Sequence, residues 1–231
     1  MIPTSESVIE GDWSVPLRPK GVVILANGTG NSRFNRRNRE AAQHLYDSGY
    51  ATLLLDLLTP DEEREDILTG VFQSNIDLMA SRLIAAAHWV KQSEGGGLPL
   101  GYMTSGVASG AAVVASVREP ELVDALVFRG GRPDLGGISL HKLLTPSLFI
   151  VGGADHTVFE LNRWALRRIR GEGKIAIVPG ASHLFEETGA LEQMCTLAIR
   201  WFDGHLTRGP LRFSIARFET TSWSQPDLSG S

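Results

Sequence analysis

The stretch Leu98–Gly110, LPLGYMTSGVASG, decides how the chain is read: an apolar run, then small residues, then the start of a helical pattern. That is the layout of the Gly-x-Ser-x-Gly elbow, in which a nucleophilic serine occupies a strained strand-to-helix turn and small residues two positions either side let strand and helix pass closely. Here no nucleophile falls at the apex. Thr104-Ser105-Gly106-Val107-Ala108 places Gly106 there, and Gly106-Val107-Ala108-Ser109-Gly110 places Ala108. An apex at Ser105 would set Met103 and Val107 at the flanks, and an apex at Ser109 would set Val107 at one, all too bulky for close packing. Gly106 is the preferred apex, because Leu98–Met103 then forms the strand and Val107–Arg118 a helix of good length. In that register Ser105 is expected to point away from the pocket and the Val107 amide toward it.

Outward from this turn, short apolar runs alternate with amphipathic helical ones, which is the pattern of a mostly parallel sheet covered by helices. Residues 8–15 read as an opening edge strand. Gly21–Ala26, Ala51–Leu55, Leu98–Met103, Val123–Phe128, Ser147–Val151 and Lys174–Val178 read as core strands, each bounded by Gly, Pro or Asp. Helices are expected over Arg37–Ser48, Asn75–Gln92, Val107–Arg118, Val158–Arg170 and Thr188–Phe202, the last with Leu191, Met194, Cys195, Ala198 and Trp201 on one face. Asp61–Asp66 reads as a solvated acidic turn. The fold class is α/β, with a central sheet of about seven to eight strands in one domain over residues 1–206. Residues 207–231 form an extension in which Leu211, Phe213 and Ile215 alternate with polar residues. That alternation predicts a strand over Leu211–Phe218, paired with a sheet edge or with a second copy of the chain.

Composition narrows the function. At 231 residues, 42% hydrophobic and 21% charged, the chain can bury a substantial core. A formal charge of -4 gives no general attraction to nucleic acid or to an anionic membrane. The single cysteine, Cys195, excludes an internal disulfide and reads as a small buried hydrophobe. No basic-then-apolar leader and no membrane-length apolar run is visible, so a cytoplasmic protein with a small-molecule substrate is expected. The pattern calls for no metal and no cofactor.

Two residues stand where an open parallel sheet places its chemistry, just after strand ends. Asp155 follows SLFIVGGAD and His183 follows KIAIVPGASH. A carboxylate beside an imidazole fixes its tautomer and stabilises the imidazolium, which makes the histidine a general base. The plainer reading has Asp155 capping the following helix and His183 as a loop histidine. The loop after the first core strand, Ala26-Asn27-Gly28-Thr29-Gly30-Asn31-Ser32-Arg33, is placed to supply oxyanion amides. Thr29 or a neighbour offers one, the Val107 amide the other, and Asn27 orients the loop. It lacks the Lys-Ser/Thr ending of a phosphate-cradling loop. Arg33, Arg36, Arg37 and Arg39 follow, and Arg129 and Arg132 emerge later in RGGRPDL. A guanidinium such as Arg33 or Arg129 beside the pocket suits a substrate carboxylate. The alternative use is ion pairing with Asp56, Glu40 or Asp134.

Taken together, GVVILANGTGNSR, ATLLLDLLTPDEE, the elbow, VFRGGRPDL, LFIVGGADHTVFELN and IVPGASHLFEETGALEQ resemble the dienelactone hydrolase-like branch of the α/β-hydrolase superfamily over about residues 8–206. The resemblance implies an eight-stranded, mostly parallel sheet and a Ser- or Cys-His-Asp triad cleaving esters or lactones, with Asp155 and His183 as acid and base. It also exposes two departures: Asn27 where such proteins carry a loop histidine, and Gly106 where they carry the elbow serine.

Three readings follow. The first is an enzyme acting on a small or medium carbonyl compound through a His183–Asp155 dyad and an oxyanion hole at Asn27, Gly28, Thr29 and Val107. The second is an ordinary ester or lactone hydrolase whose nucleophile is substituted in this chain or supplied by Ser105. The third is a non-catalytic ligand-binding protein.

Overall fold

The computed structural model describes residues 1–28, 32–93 and 95–206; the strand expected over Leu211–Phe218 lies outside them. Seven strands form one sheet: β3 (Gly11–Ser14), β4 (Gly21–Asn27), β5 (Tyr50–Leu55), β6 (Leu100–Gly106), β7 (Ala125–Gly131), β8 (Ser147–Gly152) and β9 (Gly173–Val178), in spatial order β3-β5-β4-β6-β7-β8-β9. All neighbours are parallel except β3, which runs antiparallel to β5. Two residue pairs outside this sheet, β1 (Ile2–Pro3) and β2 (Val8–Ile9), make a separate small ladder. The edge strand expected over residues 8–15 is therefore split, with the break at Glu10 between the two sheets.

Each sheet face has its own core because successive side chains on a strand point opposite ways. Val22, Ile24 and Ala26 of β4 face α3 (Ile76–Gln92) and α4 (Ala108–Arg118), while Val23 and Leu25 face α1 (Arg36–Asp47) and α6 (Ala190–His205). Helix α5 (His156–Leu166) joins the first face through Ala165. With both faces covered, β4 and β5 are apolar along nearly their whole length, as parallel strands must be. The strand expected over Lys174–Val178 is present and forms one edge of the sheet among the described residues, with Ile177 half-exposed. Strand β6 runs on to Gly106, past the expected end at Met103, since Thr104 continues the register with Phe128 and Ser105 with Asn27. Helix α5 stops at Leu166, short of the Arg170 expected from its sequence.

One expectation fails outright. Asp61–Asp66 is not a solvated turn but part of helix α2 (Pro60–Thr69). Thr59 caps it reciprocally with Glu62, Pro60 opens it, and Gly70 closes it in a left-handed conformation. Asp66 is buried and accepts from the Phe72 and Gln73 amides at 2.7 and 2.9 Å. Glu62 reaches the Arg82 guanidinium of α3 through two bonds of 2.6 Å. Arg82 is only 2% exposed and also donates to the Leu57 carbonyl and to Ser7, so one buried cation ties α2, α3, the β5 exit and the N-terminal ladder together.

Burial alone raises the Glu62 carboxyl, but the hydrogen bonds from Arg82 and the Thr59 amide outweigh it and hold the group below its ordinary value. A depressed carboxylate contributes stability above its unfolded pKa and loses it as pH falls through the folded value. We expect Glu62→Gln to flatten the acid limb of a stability–pH curve below the ordinary carboxylate range. Arg82→Met should cost roughly 3 kcal/mol at neutral pH, because it leaves a partly buried carboxylate unpaired. Urea melts of the two variants at several pH values check both.

Candidate active site

Strand β4 feeds the chain toward β5 on one side, and β6 feeds it toward β7 on the other, so the sheet order reverses between them. Such a reversal opens a crevice at the carboxyl ends of the strands. A pocket of about 250 Å³ lies there, lined by Asn27, Asn35, Arg37, Asn38, Ser105, Gly106, Arg129, Gly130, His183, Leu184 and Phe185. The ends of β4, β6 and β7, the loop that follows β9 and the start of α1 supply it.

His183 and Asp155, 28 residues apart in sequence, meet at this edge with Nδ1 3.2 Å from Oδ2. The two oxygens of Asp155 are divided between a helix cap and the imidazole. Oδ1 accepts from the Val158 amide at 3.1 Å and caps α5, while Oδ2 faces the imidazole. Asp155 is 16% exposed and His183 47%, so the carboxylate is sheltered and the imidazole reaches solvent. The His183 loop is held tightly. Ser182 donates its amide to Glu187 at 2.9 Å, which lowers the Glu187 carboxyl, and Glu186 pairs with Arg37. Phe185 turns the loop at φ 54, a conformation that costs a side-chain-bearing residue about 1–2 kcal/mol. Its ring is buried against the α6 side of the core.

At the elbow, Gly106 has φ 55 and leads directly into Val107 and α4, so the apex carries no side chain. Among the described residues a Cβ built there meets nothing closer than Asn27 Oδ1 at 3.5 Å. Ser105 does not point away from the pocket. Its hydroxyl donates to Asn27 Oδ1 at 2.9 Å and lies 3.4 Å from an Arg129 nitrogen, because Ser105 sits in register beside Asn27 on the neighbouring strand. Asn27 Oδ1 also accepts from the Gly28 amide at 2.8 Å. Asn27 therefore orients the loop, and the Gly28 amide is spent on it rather than offered to an oxyanion. Thr29 lies outside the described residues. Gly28 is needed for close approach: a Cβ there would stand 2.7 and 2.8 Å from the Val107 and Ala108 nitrogens at the head of α4.

The arginines divide sharply. Arg33 does not reach the pocket; it pairs with Glu10, Asp12 and Asp56, the last at 2.7 Å, and locks the loop to the sheet edge. Arg36 pairs with Glu40 and Arg132 with Asp134. Among the described residues Arg129 bonds to neutral groups, Asn38 Oδ1 and Ser105, and burial pulls its guanidinium down to about 10, with the nearby Arg37 charge adding to the effect. In the sequence Arg37 stands only within a run of arginines, and Asn35, Asn38, Gly130, Leu184 and Phe185 carry no motif that marks them as pocket residues. Gly130 follows Arg129 directly, which was the one available signal. Among the described residues no group of three or more His, Cys, Asp or Glu side chains could hold a metal ion, and no helix is long and apolar enough to cross a membrane.

This arrangement, a seven-stranded, mostly parallel sheet covered by helices on both faces, is an α/β-hydrolase fold. The dienelactone hydrolase family model matches residues 8–195, and the chain belongs to that family. A dienelactone hydrolase from Anabaena variabilis superposes with a TM-score of 0.85 at 41% identity, over 89% of this chain and 95% of that one. Est1E from Butyrivibrio proteoclasticus shares the fold alone, with a TM-score of 0.70 at 12% identity over 87% of this chain and 98% of its own. Proteins from two strains of Mycobacterium tuberculosis named "Putative phosphoribosyl transferase" are 48% identical over 199 residues, 86% of this chain. The chain spans only 44% of the length of those relatives.

Gly130, at φ 52, lies against the base: a Cβ there would stand 2.9 Å from the His183 carbonyl and 3.4 Å from Nδ1. Gly130→Ala should cost about 1–3 kcal/mol of stability through backbone strain and displace the imidazole from Asp155. A thermal melt and a crystal structure of the variant test this; an unmoved His183 would show that the loop is fixed by its other contacts.

Proposed function

We propose that the chain is a hydrolase of small ester- or lactone-like carbonyl compounds in which His183 activates water directly, in place of a serine at the elbow. The observation that carries the reading is the His183–Asp155 contact at 3.2 Å in the same pocket as a side-chain-free apex at Gly106. With Nδ1 turned to Asp155, the imidazole proton belongs on that nitrogen and Nε2 keeps its lone pair for the substrate side. Water attacks the carbonyl carbon as Nε2 takes its proton, and the carbonyl electron pair moves onto oxygen. In this reading the Val107 amide, at the positive end of α4, stabilises that oxyanion. The intermediate then collapses, the C–O bond to the leaving group breaks, and the alkoxide takes the proton back from Nε2.

Ser105 is a poor substitute nucleophile. Its proton is given to Asn27 rather than to a base, and a guanidinium N–H faces its oxygen. Cys195 is no better, since burial pushes its thiol up to about 12. The transferase name belongs to proteins of which this chain covers less than half, and the base-and-elbow pocket supports carbonyl chemistry as this segment's own activity.

Hydrolysis of a panel of short p-nitrophenyl esters and small lactones tests the proposal. His183→Ala should reduce turnover by about 10²–10⁴-fold, the range for a positioned general base. A fluorophosphonate probe should leave the wild-type chain unlabelled. Gly106→Ser, for which the pocket has room, should raise esterase activity and acquire probe reactivity. Turnover that survives His183→Ala, or stoichiometric labelling of wild type at Ser105, would overturn the direct-water reading. Ligand binding with no turnover in any variant would make this a binding protein on a hydrolase fold.

A further inference from the structure

Arg129 is a guanidinium on the pocket wall that no carboxylate of a described residue pairs with. Arg33, Arg36, Arg37 and Arg132 each have a carboxylate partner, whereas no carboxylate of a described residue pairs with Arg129. Its neighbours are neutral. Asn38 and Ser105 present oxygens, and the nearby Cys195 thiol, raised to about 12, stays protonated and supplies no negative charge. Taking a guanidinium out of water without a counter-charge is expensive. Such a group is retained in a cleft when the counter-charge arrives with a ligand.

A second guanidinium stands close by. Arg37 lines the same pocket and also an adjoining groove of about 740 Å³ that continues past Phe185. It is held by Glu186, whose side chain is 62% exposed and returns to water at little cost if the pair opens. Arg37 is thus free to exchange Glu186 for a bound anion, approaching from the helix side while Arg129 approaches from the strand side. Helix α1, which begins at Asn35 on the pocket wall, turns its positive end the same way.

A carboxylate would neutralise Arg129 and leave Arg37 with Glu186. A phosphate monoester carries two charges and three terminal oxygens, enough for both forks. We propose that the substrate of this site is a phosphorylated small molecule, its dianionic head bound between Arg129 and Arg37 and its carbonyl carbon facing His183. The inner pocket of about 250 Å³ then leaves room for only a short carbonyl-bearing fragment beside the phosphate, and anything longer runs out along the groove past Phe185. The identity of the reacting end rests on the function proposed above; the phosphate site does not.

Calorimetric titration of the wild-type chain with inorganic phosphate at pH 8, and in parallel with acetate and succinate, tests the site without requiring turnover. One phosphate should bind per chain and more tightly than either carboxylate. Arg129→Met should weaken it by at least about tenfold, and Arg37→Met, a change at a partly exposed position that tolerates it, by several-fold. His183→Ala should leave phosphate affinity unchanged. Absence of phosphate binding by wild type, binding indifferent to Arg37→Met, or a preference for the carboxylates would each overturn the proposal. Should Arg129→Met fail to fold, Arg129→Lys, which keeps the charge and loses the fork, serves in its place and should still weaken binding. Turnover that persists in His183→Ala alongside intact phosphate binding would sink only the mechanism, and lost phosphate binding alongside His183-dependent turnover only the anion site.

Discussion

Helix α4 is buried along nine of its eleven residues, and it can lie that deep only because its neighbours give up side chains where it passes. Gly28 clears the path of its first turn, where a Cβ would sit 2.1 Å from Val107 Cγ2. Gly131 does the same for the second residue, since a Cβ there would fall 2.0 Å from Ser109 Oγ. With the helix pinned between the ends of β4 and β7, β6 must turn into it within one residue, and Gly106 absorbs that turn in the left-handed region. The place of the pocket follows: this one-residue turn lies at the crevice where the sheet order reverses.

That constraint is local, and so it could be read from LPLGYMTSGVASG. The strands were legible for a related reason. A strand covered on both faces needs unbroken apolar residues, and GVVILA, ATLLL and SLFIV offer no competing period. Helix α2 was not legible by that route, because PDEEREDILT has no apolar stripe; Ile67 and Leu68 are exposed, and its buried side chain is an aspartate. It is held by its caps and by Arg82, twenty residues on. Thr59-Pro60-Asp61-Glu62 was the capping signal that apolar periodicity passes over.

The site divides along the same line. Asp155 and His183 were visible because strand ends announce themselves. The arginines were not separable, since nearly every one has an acid somewhere in the sequence that could claim it. Only the fold shows that Arg33 is surrounded by three carboxylates and that Arg129 faces amides and a hydroxyl. Ser105 was misjudged for a subtler reason. Backbone alternation sets its face, but the register that brings it beside Asn27 is a property of two strands 78 residues apart.

The divided carboxylate of Asp155 bears on how such a site decays. One oxygen serves the helix and the other the imidazole, so removing the acid destabilises α5 by about 1 kcal/mol whether or not anything is ever turned over. His183 makes no comparable contribution to a helix end. A lineage that abandoned catalysis would find the histidine free to drift while folding continued to hold the aspartate in place. Among chains of this fold, an aspartate at the head of the helix testifies to architecture, and the imidazole opposite it is the better witness to a working reaction.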